Sequence, residues 1–141
     1  MYTATTTPRT ILIVDDDRNL LGLMKMRLES SGYAVATALN DQEAKTAVAG
    51  NAFDLAIVDL QLGEQDGISL MEELRQVNPE MPAIILTAHG SIETAVDAMR
   101  RGAYTYLTKP FDARELLLHI ERALENGRLS SEVSRLKELL G

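Results

Sequence analysis

Two clusters of acid and one Lys-Pro pair carry the chemistry of this chain. Asp15 and Asp16 follow the apolar run Ile11-Leu12-Ile13-Val14. Asp59 ends a second run, Leu55-Ala56-Ile57-Val58, and Lys109 follows a third, Tyr104 to Thr108, and precedes Pro110. Each group stands where a buried strand should run out into a loop. In a parallel α/β sheet those strand ends share one edge, and ligands bind there. Three carboxylates at such an edge suit a hard divalent cation, and a lysine beside them adds a partner for phosphate or carboxylate. A carboxylate can also accept a phosphoryl group as an aspartyl phosphate. The chemistry therefore points to magnesium and a phosphoryl group.

Plainer roles compete for the same residues. Asp17, before Arg18-Asn19-Leu20, is expected to cap a helix, where it favours the helix dipole. Asp15 and Asp16 are left for the cation. Asp59 could be a purely structural partner of Lys109, but a charge ending a core strand is costly unless it is paired or bound. Asp16, Asp59 and a loop carbonyl would satisfy magnesium, which takes few protein ligands. Thr87 ends a fourth apolar run, and its hydroxyl, with the Lys109 ammonium, can hold phosphoryl oxygens. His89 follows in a polar loop and reads as exposed, with proton shuttling as the alternative. His119 reads as a surface residue, and Met24, Met26, Met71 and Met99 as core filler at helical spacing.

The elements that must position these residues alternate. Strands are expected at Ile11–Val14, Ala34–Ala38, Leu55–Val58, Ala83–Thr87 and Tyr104–Leu107; the first, third and fourth are near-continuous apolar runs, as in strands buried on both faces. Between them, Leu20, Leu21, Met24 and Leu28 mark a helix stopped near Gly32. Asp41 can cap a helix through Ala49, and Ile68, Leu70, Met71 and Leu74 mark a third, stopped at Asn78-Pro79. Ser91 can cap a fourth helix that ends at Gly102, and Asp112 a fifth, with Glu115 in a capping-box position. Strict alternation implies a doubly wound parallel sheet. The fifth helix should pack Leu116, Leu117, Ile120, Ala123 and Leu124 on the sheet and then outrun the domain. Past Gly127 the apolar phase changes, and Leu129, Val133, Leu136 and Leu140 recur at the 4-3-4 spacing of a coiled-coil seam. The division expected is an N-terminal arm over 1–10, one α/β domain over 11–126 and a linker helix over 127–141 that begins a coiled coil. A chain stopping in mid-pattern suggests a fragment of a longer protein.

Composition narrows the class. The 141 residues suffice for one domain with a real core. A net charge of −7 argues against nucleic-acid binding by this segment, which needs a basic face. There is no cysteine, hence no disulfide framework or thiol chemistry, which fits a cytoplasmic setting. No apolar stretch approaches a membrane span, and Met1 to Thr10 lacks the layout of a signal peptide.

From Ile11 to Glu125 the chain resembles the receiver domain of a two-component response regulator. The resemblance rests on Val14-Asp15-Asp16, Asp59 with Gly67 eight residues later, Thr87-Ala88 and Lys109-Pro110-Phe111. The stretches Leu86 to Ile92 and Ala98 to Tyr104 are similar to the nitrogen-regulation subfamily, whose receivers precede an ATPase that acts on alternative-sigma-factor polymerase and a DNA-binding helix-turn-helix. The resemblance implies a flavodoxin-like five-stranded sheet of order 2-1-3-4-5. It implies that Asp59 takes phosphate from a sensor histidine kinase, and that Asp15, Asp16, Asp59 and the Gln61 carbonyl hold magnesium or manganese. Thr87, Lys109 and the Ala88 amide would contact the phosphoryl group, with Thr87 and Tyr106 as the switch pair. It also implies a cis Lys109-Pro110 bond and a protein that is no enzyme beyond its own phosphorylation and dephosphorylation. The seam past Gly127 is itself expected to pair with its copy as a homodimer from about Leu129 to Leu140, with a solvated helical tail as the alternative. One departure stands out: Leu62-Gly63 replaces the family's frequent Met-Pro after the acceptor. Other readings remain. A stand-alone phosphorelay receiver would share every site residue. A haloacid-dehalogenase-type phosphatase is suggested by Asp15-x-Asp17 but leaves Asp59 unexplained. A flavin module would need a Gly- or Ser/Thr-rich loop where three aspartates stand.

Overall fold

The computed structural model describes residues 8–88 and 92–140. Elements alternate from the first: β1 (Thr10–Val14), α1 (Arg18–Ser30), β2 (Ala34–Ala38), α2 (Asp41–Gly50) and β3 (Leu55–Asp59). A short hairpin follows, β4 (Gln61–Leu62) and β5 (Gln65–Asp66), then α3 (Gly67–Val77), β6 (Ala83–Thr87), α4 (Ile92–Arg100), β7 (Thr105–Thr108) and α5 (Ala113–Leu140). The main sheet is parallel with order β2-β1-β3-β6-β7. With the hairpin set aside this is the expected 2-1-3-4-5.

The two-residue period of β1 divides the core. Leu12 and Val14 join Val58, Ile85, Ile68, Met71 and Leu74 on the face covered by α2, α3 and α4. Ile11 and Ile13 join Ile57, Leu86, Leu21, Met24, Leu28 and Ile120 on the face covered by α1 and α5. The central strands β3 and β6 are buried throughout, whereas β2 and β7 at the sheet edges are half exposed. Near-continuous apolar runs thus mark strands covered on both sides.

Several boundaries move. Thr10, read as part of the arm, is the first residue of β1; its amide donates to Asp54 Oδ2 at 2.8 Å. Asn40, not Asp41, caps α2: its side chain accepts from the Glu43 amide at 2.8 Å. Either residue could cap; the chain's exit from β2 selects Asn40. Met24 and Met71 are core, but Met26 and Met99 are exposed, so helical spacing alone misplaced them. His119 is half-buried, 4.0 Å from Glu115. The Ser91 cap and His89 lie outside the described residues.

α5 is one unbroken helix of 28 residues. Its first half buries Leu116, Ile120, Ala123 and Leu124, while Leu129, Val133, Leu136 and Leu140 are exposed on the protomer. A glycine in a helix interior costs about 1 kcal/mol against alanine, yet Gly127 does not break this one. A Cβ there would stand 3.0 Å from Pro82 Cδ, so glycine lets the helix lie on the loop before β6. Arg128 pairs with Glu125 at 2.6 Å and Glu132 at 3.3 Å across the same turn.

Candidate functional site

Consecutive strand ends deliver the site. β1 ends at Val14 and hands on Asp15 and Asp16; β3 ends at Asp59; β6 ends at Thr87; β7 leads to Lys109. The four strands are neighbours, so all these groups reach one edge. Asp16, Asp59, Leu60, Gln61, Gly63, Thr87, Ala88 and Lys109 line a cleft of about 290 Å³ there.

The acids occupy different environments. Asp15 is fully buried; its Oδ1 accepts from the Asp17 amide at 2.9 Å and its Oδ2 from Lys109 Nζ at 2.8 Å. Asp16 is exposed to the cleft. Asp59 is nearly buried; Oδ1 accepts weakly from the Gln61 amide and Oδ2 from Lys109, each at 3.3 Å. Asp17 caps α1, accepting from the Asn19 and Leu20 amides, as its position suggested. One ligand oxygen from each of Asp15, Asp16 and Asp59 falls within 4.8 Å of the others. All-oxygen donors with carboxylates on a wet cleft match what a hard, partly hydrated cation takes. The structure thus brings Asp15, Asp16, Asp59, Gln61, Thr87, Ala88 and Lys109 together; Tyr106, on β7 beside Ile85, is 39% exposed and outside this cleft.

Charge explains the titration. Burial pushes the Asp59 carboxyl up, and the neighbouring Asp15 carboxylate pushes it further; Lys109 and the Gln61 amide only partly offset this. Burial pulls the Lys109 ammonium down, but hydrogen bonds and attraction from Asp15, then Asp59, prevail and leave it raised. Lys109 is therefore a fixed cation between two acids, closer to Asp15 than to Asp59. The Lys109-Pro110 peptide is cis.

The hairpin and Gly67 fix the acceptor's backbone. The Gly67 amide donates to the Leu60 carbonyl at 2.7 Å, and Asp66 caps α3 through the Ile68 amide. A Cβ on Gly67 would collide with the Asp59 carbonyl oxygen and come within 2.8 Å of its carbon. Gly67→Ala should therefore cost about 3 kcal/mol in urea denaturation, since backbone on both sides must yield. Gly22→Ala in α1, where a Cβ meets nothing within 4 Å, should instead gain about 0.5–1 kcal/mol. Equal effects of the two would remove the close-packing account.

Two features escaped sequence reading. The hairpin strands are two residues each, with Leu62 the one buried apolar residue among them, too short for any period to register. Arg75 and Arg101, which tie α3 to α4, carry no local pattern.

Comparison with known proteins agrees with this geometry. Residues 11–121 match the family described as response regulator receiver domain. The transcriptional regulatory protein GlrR of Escherichia coli is 47% identical over 118 residues, 84% of this chain and 27% of that protein. The nitrogen assimilation regulatory protein NtrX of Azorhizobium caulinodans is 42% identical over 131 residues, 92% of this chain and 29% of its own length. The crystal structure of NtrX from Brucella abortus in complex with ADP superposes with a TM-score of 0.86 at 39% identity, covering 92% of this chain and 30% of that one. The chain thus spans less than a third of these relatives, and the resemblance to nitrogen-regulation receivers is borne out. With the strand order, the acid-lysine cleft and these matches in agreement, the chain belongs to the response regulator receiver domain family.

Proposed function

We propose that Asp59 is the phosphoacceptor, and that this chain is the receiver of a transcription-activating response regulator. The observation that carries this reading is Lys109 Nζ between Asp15 and Asp59, on a cleft that also holds Asp16 and Thr87. A carboxylate oxygen of Asp59 attacks the phosphorus of a phosphohistidine on a sensor histidine kinase. The new O–P bond forms as the P–N bond breaks, and the freed imidazole takes a proton from solvent. Asp59 is suited to attack because its charged form is held at a cost, with no short hydrogen bond quenching it. Lys109 and the Thr87 hydroxyl hold the phosphoryl oxygens with the Ala88 amide, as charged and neutral donors do for a transferring group. Asp15, Asp16, Asp59 and the Gln61 carbonyl would hold magnesium or manganese, which when bound supplies the positive charge that lets an anionic donor approach three carboxylates. The chain does no chemistry beyond its own phosphorylation and dephosphorylation. Incubation with magnesium and a small phosphodonor, followed by intact mass and peptide mapping, tests this: one phosphate on Asp59 is expected, and modification elsewhere overturns the assignment.

The output follows from population shift. Phosphate on Asp59 draws in the Thr87 hydroxyl and lets Tyr106, now 39% exposed, move inward. Thr87→Ala should leave phosphorylation largely intact and blunt the response. Amide exchange over 92–106 that changes equally in mutant and parent would sink this.

In the full protein, α5 would couple the receiver to an ATPase and DNA-binding output in the cytoplasm. Its seam of Leu129, Val133, Leu136 and Leu140, exposed on one protomer, would pair with a second copy. Truncation after Asn126 should then lower the mass seen by light scattering; a truncated form that dimerises as well as the parent places the contact elsewhere.

A further inference from the structure

α3 and α4 are stitched together by two arginines that no step above uses. Arg101, just past α4, spends nearly its whole fork on neighbours. Nε donates to Glu72 Oε1 at 3.1 Å, and Nη2 donates to the same oxygen at 2.6 Å and to Ser69 Oγ at 3.0 Å. Nη1 donates to Asp97 Oδ2 at 3.1 Å and lies 3.7 Å from Asp66 Oδ2. Arg75 crosses the other way, from α3 to the turn after α4: Nη1 donates to the Gly102 carbonyl at 3.0 Å, while Nε and Nη2 donate to the Met81 and Pro79 carbonyls, each at 3.0 Å.

The partners of Arg101 are what give this meaning. Asp66 ends the hairpin after the acceptor and caps α3, and its Oδ2 also accepts from Ser69 Oγ at 2.9 Å. Gly67, next in the chain, abuts the Asp59 backbone. Asp97 belongs to α4, whose one fully buried residue is Ala98 and whose first residue, Ile92, is 83% exposed. Little apolar burial holds α4, so a planar fork on three carboxylates weighs heavily there. Isolated surface pairs contribute little, but a network of several charges on one guanidinium is the case in which they do.

We propose that Arg101, backed by Arg75, is a positioning device that joins α4 to the segment following Asp59. A shift at the acceptor's backbone then reaches α4 by a route that passes through neither Thr87 nor Tyr106. The mechanical link stands without any phosphate; only its meaning for signalling rests on the phosphoacceptor reading.

Native-state amide exchange on the whole chain, without phosphodonor, tests it. Arg101→Gln leaves Asp66, Glu72 and Asp97 facing one another uncompensated. It should speed exchange about tenfold both in 61–69 and in 97–103, with α1 and α2 unchanged. Asp97→Asn, a change on α4 alone, should speed 61–69 as well, by a smaller factor. Arg101→Lys, which keeps charge and loses the fork, should recover part of the protection. Unchanged exchange in 61–69, or an equal rise across the whole domain, overturns the proposal. Should Arg101→Gln not fold, Asp97→Asn decides by the same readout. Peptide mapping after phosphodonor treatment is a separate arm: no phosphate on Asp59 would end the phosphoacceptor reading and leave the exchange result standing.

Discussion

Asp59→Asn should take up no phosphate under conditions that fully modify the parent, and it should also fold more tightly at neutral pH. The first effect is all-or-none because Asp59 joins central-strand placement, a cleft-facing carboxylate and a Lys109 contact. The second follows from its titration. Burial, then Asp15, raise the folded carboxyl above its ordinary range. The folded protein therefore holds that proton more tightly than the unfolded chain, and stability is lost as pH climbs from about 4 through the raised value. Above that value ionised Asp59 is a standing cost, and the neutral amide removes it. Lys109 keeps its 2.8 Å partner Asp15 in the mutant. In chelator, urea denaturation should show the mutant ahead by about 1 kcal/mol at pH 7, with the gap closing below pH 4. A mutant that still gains one phosphate, or one weaker at pH 7 than at pH 4 relative to the parent, contradicts these assignments.

A chelator should slow phosphorylation by about 100-fold or more, and Asp16→Ala should match the chelator without it. Asp15, Asp16 and Asp59 carry three negative charges against the one on Lys109, so a phosphodonor approaching this edge is repelled. Asp16 is the acid to remove because it is exposed and carries no part of the buried Lys109 bridge. Its loss should leave the denaturation midpoint within about 0.5 kcal/mol of the parent, which separates a binding defect from a folding one. Equal rates with and without chelator would dismiss the cation site.

The order of the strands and the residues at their ends were legible because both are written locally. An apolar run of four or five residues ending in an acid marks a strand buried on two faces and its exit in one stroke, as in β1 and β3. The lysine after β7 was legible for the same reason, although that strand runs Thr105–Thr108, one residue later than expected. What stayed hidden depends on partners far along the chain. Arg101 meets Glu72 and Ser69 only because the sheet order sets α3 beside α4. Gly67 looked like a motif residue; its reason, the absence of room beside the Asp59 carbonyl, is visible only in three dimensions. Gly127 was read as the point where the apolar phase changes; that the helix runs on through it, lying beside Pro82 with the Arg128 pairs across it, is visible only in three dimensions. Met26 and Met99 show the limit of periodicity, since a helix face can point outward.

An unbroken α5 also acts as a key cut to one angle. With no break in the helix between the buried stripe at Leu124 and the seam at Leu129, the bearing of the seam relative to the sheet is set by counting residues. Each residue inserted after Gly127 would turn everything beyond it by about 100° and carry it about 1.5 Å further. Under the proposed pairing, one or two extra residues would aim the seam away from a second copy while the sheet-facing residues up to Leu124 keep their places. Seven would bring it back to within roughly 20° of its bearing. If the seam pairs as proposed, length variation in this helix is tolerable only in near-whole heptads, a constraint on orientation that neither the core nor the acid-lysine cleft imposes.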